Sequence, residues 1–286
     1  TSYGRADAVP NDHPNYLGHL GRLGSTEGIE AIRQADTILA VGTRLSQSTT
    51  FYDNRFIPED AKIIQIEIDP QEIGRNYPVA VGIEGDAKAV MDGLLGKVRE
   101  REPRPNQQWV SEIGDWNSRR SLRLQDEEKL SGSPIKPQRA YAELRKAMPR
   151  DAIVALDAGL APNYGQDRLN YYEPRSLITS LDLGGLGFSF PAAIGAKFAA
   201  PDRPVINFNG DGGFLFNAQE FSTAVQYNLP LVTVIMNNGI WGSEKAYQRY
   251  AFDERYVGAD VINLSLIHIS EPTRPLYISY AVFCLK

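Results

Sequence analysis

Residues 205–238, VINFNGDGGFLFNAQEFSTAVQYNLPLVTVIMNN, constrain the fold more than any other stretch. An apolar run, a glycine turn, a helical segment and a second apolar run follow one another with almost no spare chain. Two strands joined through a helix must run parallel, and the crossover between them is right-handed. Their carboxyl ends therefore meet at one edge of a sheet, the edge at which open α/β sheets bind ligands. Asp211 stands at the first end and Asn238 at the second. The spacing predicts a helix between them capped by Asn217, with Glu220 completing a capping box. Its buried stripe is expected at Phe221, Ala224 and Val225, and Leu231 to Met236 should form the next buried strand.

The same alternation extends in both directions. Thr37 to Val41 (TILAV) reads as a strand buried on both faces. Lys62 to Ile68 reads as a second strand and Ala80-Val81 lies in a third. Ser25 or Thr26 is suited to cap a helix running to Ala35, and Asp86 one whose Val90, Leu94 and Val98 fall in step. Charged, proline-rich REREPRP and LSGSPIKP bracket a helical stretch with Trp109, Ile113 and Trp116 at intervals of three to four. Pro137 then fits the first turn of a helix. Strands follow at 152–156, 176–180 and 205–208, with Pro191 opening a helix between the last two. The fold class is α/β with two parallel-sheet domains. Residues 1–100 form a Rossmann-like domain, 101–136 an interdomain connection, and 137–263 a second α/β domain.

From about Leu264 the character changes to LSLIHISEPTRPLYISYAVFCLK. This tail resembles a translated sequencing-adapter read-through, against the plainer reading of a genuine terminal strand, and residues 264–286 are expected to pack poorly. The chain begins with Thr1 rather than Met, as a fragment or trimmed chain would.

A net charge of −5 over 286 residues, with no basic run, argues against nucleic acid. No apolar run approaches the roughly 18 residues that a membrane span needs. The single cysteine, Cys284, rules out an internal disulfide, and a cytoplasmic setting fits. No histidine lies between His19 and His268, which excludes a histidine-centred triad or a histidine-rich metal site in that stretch.

A carboxylate, an amide oxygen and a nearby carbonyl are hard oxygen ligands suited to magnesium. Gly210, Gly212 and Gly213 would let the backbone approach a diphosphate and donate N–H groups. A lone GDG is common in turns. The conjunction of GDG, helix, Leu229-Pro230, strand and Asn-Asn is specific, and it resembles the cofactor-binding motif of the acetolactate synthase and pyruvate decarboxylase superfamily of thiamine diphosphate (ThDP) enzymes. The resemblance implies magnesium held by the side chains of Asp211 and Asn238 and by the carbonyl of Ile240. A second match, LGGLGFSFPAAIGA at 183–196, places Gly185 and Leu186 where the family props the aminopyrimidine of ThDP against its thiazolium ring. Glycine-rich helix packing is the plainer reading of that segment. Lys136 to Gln138 and Asp157 to Gly159 sit where such enzymes begin this domain.

The first domain resembles the family's middle domain, which holds FAD in some relatives. Arg44 could meet a phosphate there, or be a salt-bridged loop arginine. WGSEKAYQ (241–248) with RYVGADV (255–261) looks like the sulfoacetaldehyde acetyltransferase branch, whose substrates are sulfoacetaldehyde and phosphate. GGLGF and LPLVTVIMNNG are closer to acetolactate synthase, which acts on 2-keto acids. Lys245 and Arg249 could face an anionic substrate or lie on a solvated helix face. The family's activating glutamate belongs to an N-terminal domain outside this chain, so the resemblance implies no catalytic residue here. It also implies a homo-oligomer, a dimer or tetramer. A non-catalytic nucleotide-binding or assembly module, or a broken gene product, are the competing readings.

Overall fold

The computed structural model describes residues 1–101, 105–180 and 183–264, and the backbone of 281–285. It divides into two compact units, Thr1–Tyr3 with His13–Arg123, and Gly4–Asp12 with Leu124–Lys286.

The first unit contains helix α1 (Thr26–Arg33), strand β1 (Thr37–Val41), a short helix α2 (Gln47–Thr50), strands β2 (Lys62–Glu67) and β3 (Val81–Glu84), and helix α3 (Ala87–Glu100). The three strands pair in the order β1-β2-β3, all parallel. Capping chemistry sets the helix starts. The Ser25 hydroxyl accepts from Gly28 N, and the Asp86 carboxylate accepts from Ala89 N at 2.9 Å. The core of this unit gathers Ile38, Ala40, Leu45, Ile57, Ile63 and Tyr77.

Two expectations fail here. Strand β1 is not buried on both faces, since Leu39 is 43% exposed. Helix α3 buries none of its residues, although Val90, Leu94 and Val98 are in step. Strand β3 has four residues, roughly 13 Å of platform. Helix α3 has 14 residues, roughly 21 Å, longer than any strand of this three-stranded sheet, and Leu94 and Val98 of its stripe stay exposed.

Helix α4 (Gln107–Glu128) carries the chain across the division between the units. It buries Trp116, whose ring meets Trp109 edge-on at 5.3 Å.

The second unit continues with α5 (Pro137–Ala147), β4 (Ile153–Leu156), α6 (Leu160–Asn163), α7 (Gly165–Arg168), β5 (Leu177–Thr179), α8 (Ser189–Ala199), β6 (Val205–Gly210), α9 (Asp211–Phe214), α10 (Phe221–Gln226), β7 (Val232–Met236), α11 (Gly242–Ala251) and β8 (Ala281–Leu285). Its sheet runs β5-β4-β6-β7-β8, all parallel. One face carries Tyr141, Ile206, Phe208 and Val234, and the other Ile153, Phe190, Val205, Phe214 and Ile235. Period-two alternation along β6 puts Asn207 and Asn209 on the face of Val205.

Residues near the start of the chain belong to this unit. Asp7 Oδ2 accepts from Ser176 N at 3.0 Å and Leu177 N at 3.1 Å, where β5 begins. Asn11 exchanges bonds with the backbone of Tyr171, its N–H donating at 2.7 Å and its Oδ1 accepting at 2.8 Å.

The sequence reading sets the tail aside, yet the backbone of Ala281–Leu285 pairs with β7 as the edge strand β8. Leu264 is 70% exposed. The expected poor packing of Ile267, Ile269, Leu276, Tyr277 and Tyr280, and of the Phe283 side chain, falls outside the described residues.

Candidate functional site

Because every strand of the second sheet is parallel, the segments leaving β4, β5, β6 and β7 gather at one edge. These segments bring Asp157, the 184–187 loop, Asp211 and Asn238 to that edge. Asp211 opens α9 and is 1% exposed. Its Oδ1 accepts from Asn238 N at 3.2 Å, and its Oδ2 accepts from the Asn263 side-chain amide. Asn238 turns its own Oδ1 to Ile240 N at 3.2 Å, an Asx-type turn. Ile240 forms an isolated antiparallel bridge with Asp260, flanked by bonds from Trp241 N to Ala259 O and from Val261 N to Gly239 O, both 2.8 Å. Asp211, Asn238 and Ile240 therefore lie together on two adjacent strand ends. Among the described residues Asp211 has no lysine or arginine partner, and a buried carboxylate without compensating charge is costly.

The glycines meet the protein itself as well as the open edge. A Cβ on Gly212 would come within 2.6 Å of the Trp241 ring, and one on Gly213 within 2.3 Å of Asp157 Oδ2. A Cβ on Gly210 or Gly185 would meet open space. Gly212 and Gly213 occupy the first turn of α9, whose N–H groups have no intrahelical acceptor. Leu186, 36% exposed, is flanked by Gly187 at φ +77°, where a Cβ would come within 2.8 Å of Phe216.

Asp157 is fully buried. Its Oδ2 accepts from Gly187 N at 3.0 Å and its Oδ1 from Ser189 N at 3.2 Å. Burial pushes its carboxyl above the ordinary carboxylate value, and these N–H donors pull the other way. Ser189 Oγ in turn meets Asn209 Oδ1 at 3.1 Å.

The expected capping box is absent. Asn217 donates its Nδ2 to Gly187 O at 3.0 Å, while Glu220 accepts from the Thr223 hydroxyl at 2.8 Å. The Leu186 loop fixes the Asn217 amide through its NH2, and the Oδ1 that would have capped the helix accepts from the Gln219 side chain at 3.4 Å. Ala224 is buried as expected, but Val225 is 47% exposed. Lys245 pairs with Asp260 at 2.6 Å and Arg249 with Glu254 at 3.2 Å. Arg44 lies 3.8 Å from Glu72, as a salt-bridged loop arginine does. Two contacts went unread in the sequence: Asn263 on Asp211, 52 residues away, for which no local pattern exists, and Trp241 over Gly212. Among the described residues no group of three histidine, cysteine, aspartate or glutamate side chains is placed to hold a metal. No described helix is long and apolar enough to cross a membrane.

Comparison with known proteins agrees with this architecture. The family model for the thiamine pyrophosphate enzyme C-terminal TPP binding domain matches residues 157–273, and that for the central domain matches residues 1–94. The chain is 35% identical over a 295-residue alignment to a sulfoacetaldehyde acetyltransferase of Alcaligenes xylosoxydans xylosoxydans, covering 95% of this chain and 49% of that relative. It is 35% identical over 252 residues to an acetolactate synthase large subunit of Haemophilus influenzae, covering 87% and 43%. A probable acetolactate synthase large subunit of Methanocaldococcus jannaschii is 36% identical over 252 residues, covering 86% and 42%. The chain thus spans about half the length of the curated relatives it matches. It belongs to the thiamine pyrophosphate enzymes, of which it carries the central domain and the C-terminal TPP-binding domain.

Proposed function

We propose that this chain is the cofactor-diphosphate half of a ThDP- and magnesium-dependent sulfoacetaldehyde acetyltransferase, which converts sulfoacetaldehyde and phosphate into acetyl phosphate and sulfite. The observation that carries the cofactor part is the buried Asp211 carboxylate, which lacks a cationic partner among the described residues and is bonded to Asn238 at the carboxyl edge. A small hard cation would supply the missing charge. The Asp211 carboxylate, the Asn238 amide oxygen and the Ile240 carbonyl are oxygen donors of the kind magnesium takes, with phosphate oxygens completing its shell.

When bound, ThDP supplies the electron sink, and the protein supplies binding, orientation and electrostatics. Gly210, Gly212 and Gly213 would face the diphosphate with their backbone. The Trp241 ring lies against Gly212, where any side chain would collide with it. Gly185 and Leu186 would support the cofactor rings. No residue of this chain is assigned as the catalytic base.

The substrate assignment rests on WGSEKAYQ and RYVGADV, and on relatives named sulfoacetaldehyde acetyltransferase at 32–35% identity. An acetolactate synthase-like reaction on 2-keto acids is the second reading, favoured by relatives of that name at 35% and 36% identity. Lys245 and Arg249 already have carboxylate partners and are not assigned to substrate. Neither matched family model is described by a flavin, and FAD is not part of the proposal. The proposal does include a cytoplasmic homo-oligomer, dimer or tetramer. As a division of the sequence its domains are 1–100, a connection over 101–136, a ThDP domain over 137–263, and a foreign tail over 264–286. The compact units differ from it in joining residues 4–12 to the second unit and His13–Arg123 to the first, and β8 lies in the second sheet.

Calorimetric titration of the chain with ThDP tests the cofactor assignment. Binding should require magnesium and vanish in Asp211→Ala. Binding that is indifferent to both overturns it. For the substrate, the whole enzyme should release sulfite from sulfoacetaldehyde only when phosphate is present. Carbon dioxide release from pyruvate, with no sulfite release, would favour the second reading.

A further inference from the structure

Asp157 makes more contacts than a helix cap requires. It leaves the end of β4, buried completely, and spreads its carboxylate over three things. One oxygen takes Ser189 N, at the start of α8; the other takes Gly187 N, immediately after Leu186. That second oxygen also stands where a Cβ on Gly213 would be, so the carboxylate lies directly against the glycine turn that begins with Asp211. We propose that Asp157 is a positioning residue that sets the Leu186 loop against the glycine turn, so that the two walls of the cofactor pocket are held at a fixed separation. The inference rests on the ThDP reading of that pocket.

The chemistry favours a carboxylate over an amide at this position. The N–H groups of Gly187 and Ser189 are directed at it, with the Ala158 N–H and the Asn209 amide also favouring the charged form, and an ionised carboxylate only accepts. An asparagine would turn its NH2 toward one of the two donors and lose that bond. A simple helix cap would need the Ser189 contact alone. The Gly187 bond adds nothing to α8, and a side chain at Gly213 would have to displace the carboxylate. The Asn217 bond to Gly187 O fastens the next peptide unit of the same residue, so both backbone polar groups of Gly187 are committed.

The test uses the full 286-residue chain. In Asp157→Asn, deuterium uptake by peptides covering 183–190 should accelerate by about tenfold or more, as the loss of a charge-assisted bond implies. Peptides of β6 and β7 should be unchanged. The Kd for ThDP in saturating magnesium should rise by about tenfold or more. Gly213→Ala keeps the Asp157 carboxylate but pushes it off its two N–H donors, because the methyl group would take the space of its Oδ2. It should accelerate exchange in the same 183–190 peptides, and it carries the measurement if Asp157→Asn does not fold. Unchanged exchange at 183–190 in both variants overturns the proposal. So does exchange that rises equally through β4, β6 and β7, which a merely structural role would give, and so does wild-type affinity in Asp157→Asn. Absence of ThDP binding in the wild type overturns the functional reading, and this inference with it.

Discussion

A carboxylate inside a protein is stable only so far as its surroundings replace the water it has lost. Asp157 and Asp211 meet that demand differently. Asp157 is served by two backbone N–H groups that belong to the fold. Asp211 receives Asn238 N and the Asn263 amide, both neutral, and among the described residues no cation. Removing its charge should therefore have opposite consequences with and without the cofactor. Without metal, Asp211→Asn should melt at the wild-type temperature or above it. With magnesium and ThDP at a hundredfold excess over Kd, the wild type should gain about 2.7 kcal/mol, and the variant should gain almost none. Thermal melts in the two buffers decide this; equal stabilisation of both proteins would remove Asp211 from the metal site. Asp157 should show itself in acid. Burial raises its carboxyl above the ordinary value, so the native state holds this proton more tightly than the unfolded chain does. Between the unfolded and folded pKa values the native protein binds more protons, and stability from this group falls as pH rises through that window, then levels off. Asp157→Asn has no such proton. The stability difference, wild type minus variant, should decline from acid toward neutral pH in urea titrations; a pH-independent difference would contradict the assignment.

The elements that hold these residues were legible to different degrees. Strands β1, β2, β6 and β7 fall within two residues of their expected positions, because each is an apolar run ended by glycine, aspartate or asparagine. For the same reason Asp211 and Asn238 could be placed at one sheet edge before any coordinates. What escaped depends on partners distant in sequence. Asn217 has the residue type of a cap, but its NH2 is anchored on Gly187 O, 30 positions away, and its Oδ1 accepts from the Gln219 side chain. Val225 and the α3 stripe have apolar spacing without an apolar surface to meet. The glycines around GDG read as space for a diphosphate, whereas Gly212 and Gly213 are also required by Trp241 and Asp157. Stability measurements can separate the two kinds of glycine. Gly187→Ala would force a left-handed backbone and crowd Phe216, and should cost about 1–3 kcal/mol in urea unfolding. Gly185→Ala meets open space and should stay within about 0.5 kcal/mol of the wild type. A reversed order would mean that the loop is built otherwise.

Across the whole molecule, each unit has a core of its own, so calorimetry should resolve two transitions. ThDP with magnesium should raise the one belonging to the second unit and leave the other in place; a shift of both by the same amount would mean that the site is not confined to residues of the second unit. Under the proposed function this chain alone should turn over neither sulfoacetaldehyde nor pyruvate, because it lacks general acid–base help worth about 10²–10⁴-fold. Acetyl phosphate or acetolactate formation at enzyme-like rates from the purified chain would contradict that. The second unit is also assembled from two separate stretches of polypeptide. Asp7 and Asn11 serve the backbone at Tyr171, Ser176 and Leu177, so a gene cut at the later boundary would express a domain whose β5 has lost the acceptors for its first N–H groups. Residues 4–12 thus serve the second unit as an added segment from elsewhere in the chain: supplied as a separate peptide, they should raise the melting temperature of a domain expressed without them, and no change on adding the peptide would contradict this.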